Sequence, residues 1–175
     1  PAIDYFITLH ETLLVDEVNR GNHEIYKAGG KGLNVSKVLS VLNIPSKAIA
    51  VLGGFTGHYI EDSFAKDPNI EMIPIPVDGM NRINMKANYG KKALCINGSG
   101  PVVNDCTVQL LLDEIGKINA DDIVVISGSM MHGFPDDFVT TLAQAVHQRN
   151  AKVVIDMEQI SMEQLKECRP YLIKP

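Results

Sequence analysis

Two runs near the C-terminal half, DDIVVISGS ending at Ser129 and AKVVID ending at Asp156, consist of consecutive β-branched and aliphatic residues without polar alternation. Strands of an antiparallel sheet with one wet face alternate apolar and polar residues. Continuous runs belong to parallel strands covered on both faces. Between them, Asp136 to Arg149 has helical character, and a shorter helix at Met162 to Glu167 precedes PYLIK. The order βαβαβ predicts a parallel α/β sheet flanked by helices, and it excludes all-α and all-β architectures.

The rest of the chain follows the same alternation with one departure. Ile3 to Leu9 reads as a strand, and the run after Gly32 places Leu33, Val35, Val38, Leu39 and Leu42 at helical spacing. A buried strand at Ala48 to Leu52 leads through Gly53-Gly54 to a short helix at His58 to Lys66. Asn104 or Asp105 caps a helix to Ile118, with Leu110, Leu111 and Ile115 facing inward. Val18 to Lys27 and Arg82 to Ile96 read instead as ribbons and hairpins, with turns at Asp78-Gly79 and Asn88 to Lys91. These segments predict a small antiparallel β lid outside the main sheet, with strands at about 12–27 and 81–97.

Composition narrows the function classes. Sixteen basic against twenty-one acidic residues leave a formal charge of −5, which disfavours nucleic acid and anionic membranes as partners. No apolar run approaches the roughly 20 residues of a membrane span. Cys95, Cys106 and Cys168 are too scattered for a disulfide framework or zinc site, and they read as buried, reduced thiols in a cytoplasmic protein. The five histidines show no metal-ligand spacing, and no metal site is expected from the residues themselves. The chain starts at Pro1 and stops at Pro175 just after a strand, and is expected to be the N-terminal portion of a longer protein.

The strongest motif is Ala28-Gly29-Gly30-Lys31-Gly32-Leu33-Asn34 at the start of a helix. Glycines there admit a close ligand, and the helix end offers free N–H groups. It is neither a Walker A loop nor a dinucleotide fingerprint, and a plain glycine turn is the competing reading. Lys31 and Asn34 supply a cation and an amide beside it. Asp4 is either a strand-edge charge or an acceptor for ligand hydroxyls. Arg82, Asn84 and Lys86 alternate and so share one face, either a solvated face or an anion-binding one. Arg20, on the other outer strand, is placed to contribute similarly. Ser129 and Asp156 end consecutive parallel strands, at the edge where open α/β sheets bind ligands.

Taken in order, these segments resemble the PfkB group of ribokinase-like carbohydrate kinases, in its branch acting on ketohexose phosphates. The likeness runs through Asp4 in its strand, AGGKGLNVSKVL (28–39), LGGFTG (52–57), NRINMK (81–86), INGSGP (96–101), SGS (127–129) and PYLIKP (170–175). The resemblance implies ATP and magnesium as cofactors and a homodimer formed through the β lid. It implies that Asp4, Gly29, Gly30 and Asn34 hold sugar hydroxyls, and that Lys31, Arg82 and Lys86, with Arg20, hold the sugar's phosphate. It places Ser129 near that phosphate, Asp156 near the magnesium and phosphate network, and Lys174 near ATP. The reaction implied is phosphorylation of fructose 1-phosphate, with tagatose 6-phosphate as the alternative substrate.

The expected base belongs to a Gly-Ala-Gly-Asp motif that does not occur in these residues. On this reading the stretch supplies the sugar-phosphate half of a site and does not turn over alone. Two segments depart from the family pattern. Met130-Met131-His132 follow SGS, and Met157-Glu158-Gln159 replace the usual Thr-Ser-Gly after Asp156. A non-catalytic sugar-phosphate-binding protein of the same fold, and a generic α/β domain with a mere turn at Gly29, are the competing readings.

Overall fold

The computed structural model describes residues 1–10 and 12–174. Pro175, the last residue of the PYLIKP segment, lies outside them. In chain order the elements are β1 (Ala2–Leu9), β2 (Gly21–Gly29), α1 (Lys31–Val41), β3 (Ser46–Leu52), α2 (Gly54–Phe64), β4 (Ile70–Pro76) and β5 (Arg82–Tyr89). There follow β6 (Lys92–Asn97), α3 (Asp105–Ile115), β7 (Ile123–Ser127), α4 (Phe138–Gln148), β8 (Lys152–Asp156), α5 (Met162–Cys168) and β9 (Leu172–Ile173). None of the described helices is long and apolar enough to cross a membrane.

The C-terminal half is the expected parallel unit, with β7, β8 and β9 paired side by side. Its core is the apolar face of α4, where Phe138, Val139, Leu142, Ala143 and Val146 pack with Val153 and Ile155 of β8. β8 is the covered strand and β7 is not, since Ile123 is 59% exposed. Its uninterrupted apolar run therefore overstates its burial among these residues. In the N-terminal half β3 and β4 pair in parallel, and Leu33, Ile60 and Phe64 of α1 and α2 close over Ile3, Ala48, Ala50 and Leu52.

The lid departs from the expectation. β1 is hydrogen-bonded between β2 and β5, giving the order β2-β1-β5-β6, and β1 runs parallel to β5. The sheet is thus mixed, built on the first strand rather than standing apart from it. Strand structure begins at Gly21, not near residue 12, because residues 12–20 are turns and irregular chain. β4 and β5 are joined through Asp78-Gly79, but the turn sends β5 to β1 instead of folding it back on β4.

Three smaller expectations also give way. α2 starts at Gly54, earlier than His58, because the turn at Gly53-Gly54 already enters the helix. Leu110 is 37% exposed, and the inward face of α3 is carried by Thr107, Val108, Leu111 and Ile115. Only Cys168 is a buried thiol, while Cys95 and Cys106 are exposed.

Candidate functional site

The register of the mixed sheet assembles most of the candidate residues. Lys27, Asp4, Asn84 and Asn97 form one row across the four strands, and Ile25, Phe6, Lys86 and Cys95 form the row two residues along. Rows two residues apart share a face, so Asp4, Asn84, Lys86 and Arg82 project to the same side. Asp4 Oδ1 accepts a hydrogen bond from Asn84 Nδ2 at 3.0 Å and lies 3.3 Å from Lys86 Nζ. The Lys86 ammonium also sits 4.9 Å above the Phe6 ring. Asn84 is 92% buried, yet its Oδ1 has no hydrogen-bond partner. A buried amide oxygen left open beside a carboxylate is the feature expected where a ligand hydroxyl donates.

The glycine loop faces this pair. A Cβ on Gly29 would stand 3.5 Å from Asn34 Oδ1 and 3.9 Å from Asp4 Oδ2, so the missing side chain leaves the gap between them. Gly30, at φ 121°, lies in a region that side chains rarely adopt, and its carbonyl accepts the first bond of α1 from Asn34. Lys37, one turn further on, donates to the Ala28 carbonyl at 2.6 Å and lies 4.6 Å over the Phe64 ring, bracing the loop from behind. α1 has no side-chain cap and no acidic residue in its first turn.

The parallel strands β7 and β8 bring their ends to the same place. A Cβ on Gly32 would come 3.1 Å from Ser127 Oγ, which is buried without a partner. Gly128 N–H donates to the Asp156 carbonyl at 3.0 Å. The Asp156 carboxylate, 14% exposed, lies 3.4 Å from Lys31 Nζ and 3.3 Å from Lys174 Nζ. Lys31 Nζ is also 3.0 Å from Glu158 Oε1, and this hydrogen bond holds its ammonium above the ordinary lysine value.

Arg82 donates to Ser129 Oγ at 3.3 Å. Its stem lies against the INGSGP loop, where a Cβ on Gly98 or Gly100 would come 3.4 or 3.6 Å from Arg82 Cβ. The strand start before it is held by Asn81, 2% exposed, which accepts from Gly53 N–H and donates to the Val51 carbonyl, both at 2.9 Å.

Eleven of the twelve sequence candidates therefore gather where β1, β5, the start of α1 and the ends of β7 and β8 meet, while Arg20 stands apart. Arg20 lies just before β2, next to Gly21, whose partner Leu9 stands about 17 Å along β1 from Asp4 at ~3.3 Å per residue. There it lines an open cleft of ≈ 450 Å³ with Leu9, His10, Leu14 and Val18. Asn81, Ser127, Lys37 and Glu158 were not singled out from sequence. Asn81, Ser127 and Lys37 sat inside quoted motifs and Glu158 in the segment that departs from the family pattern, but nothing in one-dimensional spacing separates these four from surface polar residues.

Metal chemistry finds limited support in the side chains. No group of three His, Cys, Asp or Glu residues converges among the described residues, and Asp156 is already shared by two lysines. Such an edge fits magnesium carried on ligand phosphates, which commonly needs only one or two protein carboxylates, and does not fit an all-protein cage.

Residues 2–175 match the family described as pfkB family carbohydrate kinase. The chain is 36% identical over 175 residues to a 1-phosphofructokinase of Bacillus subtilis, covering 100% of the chain and 57% of that protein. It is 34% identical over 177 residues to a D-tagatose-1-phosphate kinase of Bacillus licheniformis, covering 99% of the chain and 56% of that protein. A Staphylococcus aureus structure, provisionally named a phosphofructokinase, superposes with a TM-score of 0.87 at 34% identity, over 99% of the chain and 56% of its own. The chain thus spans little more than half the length of these relatives.

Proposed function

Because this chain belongs to the pfkB family of carbohydrate kinases, we propose that its cluster is the sugar-phosphate half of a kinase site, with ATP as phosphoryl donor. The observation that carries the reading is the state of Arg82. Lys31, Lys86 and Lys174 each lie within 3.4 Å of a carboxylate, whereas Arg82 has no carboxylate partner among the described residues and meets only a hydroxyl. A guanidinium held by its stem and offered a neutral partner is set to take a phosphate in bidentate fashion. The Asp4–Asn84 pair and Asn34 then receive the sugar hydroxyls, with the open Asn84 Oδ1 accepting one of them.

One similar relative is named a 1-phosphofructokinase and the other a D-tagatose-1-phosphate kinase. The substrate proposed is accordingly a ketohexose 1-phosphate, fructose 1-phosphate first. Tagatose 1-phosphate replaces tagatose 6-phosphate as the second choice. Magnesium supplies charge neutralisation on the transferring phosphates when bound. Asp156 and Lys174 are the residues of this chain proposed to face that side. These residues contain no Gly-Ala-Gly-Asp motif, so the stretch is proposed to bind its sugar phosphate without turnover unless a base is supplied in addition.

The test is calorimetric titration with fructose 1-phosphate. Arg82→Ala is expected to weaken binding by roughly 10- to 100-fold, the range for a charge-assisted hydrogen bond. Unchanged affinity would return the cluster to a solvated polar face.

The other face of the same sheet supports a second element of the proposal. Tyr26, Tyr5, Met85 and Ile96 form a single row across all four strands, on the side opposite Asp4. Tyr26 is 53% and Ile96 52% exposed, an apolar strip suited to a second copy of the chain. We propose a homodimer through this face.

A further inference from the structure

The anion position beside Lys31 is already filled by the chain's own Glu158, and this contact has the character of a competitor. Asp156 is a fixed part of the floor, since its carbonyl takes Gly128 N–H and its carboxylate is mostly covered. Glu158 is 82% exposed, sits two residues past β8, and makes no other polar contact among the described residues. Yet it supplies the shorter of the two contacts to Lys31, 3.0 against 3.4 Å. Around that ammonium, two features are left open for an anion: the uncapped start of α1 and the buried, unpartnered Ser127 Oγ against Gly32.

We propose that Glu158 is a built-in displaceable competitor: it occupies the anion position on Lys31 in the free protein and must swing away when a ligand phosphate arrives. This rests on the reading of the site as a phosphate-binding one and adds a residue that sets its affinity. The competitor weakens every anion that reaches Lys31 by a similar factor. Free phosphate then stays unbound at concentrations where a ligand also anchored by Arg82 and the Asp4–Asn84 pair still binds. The loose, exposed attachment of Glu158 makes it removable at small cost, unlike Asp156.

Titrations of inorganic phosphate and of fructose 1-phosphate into the wild-type protein and Glu158→Gln test this. At low salt the variant should bind both about two- to fivefold more tightly, the span expected for an exposed ion pair. The gain should fade near 1 M salt, where the screening length is about 3 Å. In a Lys31→Met background the Glu158→Gln change should alter nothing, and Glu163→Gln, on the exposed start of α5, should not reproduce the effect. Equal or weaker binding by Glu158→Gln, or the same gain without Lys31, overturns the proposal. Tightened phosphate binding with no binding of fructose 1-phosphate to either protein would uphold the role of Glu158 and overturn the sugar-phosphate reading.

Discussion

At Gly29 the missing side chain is a functional requirement more than a conformational one. Its φ is not in the left-handed region, and an added Cβ would meet only ordinary contacts at 3.5 and 3.9 Å. Gly29→Ala should therefore fold with a melting temperature close to wild type. Its methyl group fills the gap between Asp4 and Asn34, and fructose 1-phosphate affinity should fall by tenfold or more in calorimetry. A variant that melts early would show instead that the glycine serves the turn. Asn81 makes the opposite case, a polar residue whose work is structural. Asn81→Ala strands the Gly53 N–H and the Val51 carbonyl in a buried place, and should cost about 2–4 kcal/mol in urea denaturation. The shared face of Arg82, Asn84 and Lys86 was legible because strand alternation is a local rule. Their meeting with Asp4 was not, since the Asp4–Asn84 bond spans 80 residues and depends on a parallel register that no local pattern encodes.

At the scale of elements, the signals that read correctly are those whose cause is local. Asn104 caps α3 as its position before an amphipathic run suggests, with its side chain accepting from Thr107 N–H at 3.0 Å. The β5–β6 hairpin follows from its tight turn at Gly90. The elements misread are those decided by a distant partner. The turn at Asp78-Gly79 has hairpin chemistry, but Gly53 lies so close to it that a Cβ there would come 2.5 Å from the Val77 carbonyl and 2.8 Å from that of Gly79. That packing of the GGFTG segment, together with the anchor at Asn81, turns the chain away from β4 and delivers β5 to β1. The GGFTG and INGSGP segments, which read as motifs of unspecified purpose, are thus the walls that aim Arg82. Leu110 shows the same limit for helices, where three apolar residues in a row leave the inward one undetermined until a sheet is present.

For the molecule as a whole, the four-stranded sheet separates two tasks by its pleat. Even positions of β1 face the candidate site, and odd positions present the Tyr26–Tyr5–Met85–Ile96 row outward. Tyr5 and Tyr26 stack at 4.7 Å, and the hydrogen bond to the Glu24 carboxylate pushes the Tyr5 hydroxyl up to about 12. Tyr26 and Ile96 at the two ends of this strip are more than half exposed among the described residues. The substitution that tests its pairing must leave the site face untouched, and Tyr26→Glu does so because residue 26 alternates away from Lys27 and Asp4. Sedimentation velocity should find the wild-type chain as a dimer and Tyr26→Glu as a monomer, since a buried, unpaired carboxylate at each copy opposes association. A wild-type monomer would remove the dimer proposal outright. The placement of Arg20 gives the same experiment a second reading. Within one chain it adjoins the Gly21–Leu9 pair, about 17 Å along β1 from Asp4 at ~3.3 Å per residue. If it touches the sugar phosphate at all, it does so from the partner, and the monomeric variant should then lose the affinity that Arg20→Ala removes from the dimer. Equal affinity in all three proteins would leave Arg20 to its own cleft beside Leu9 and His10.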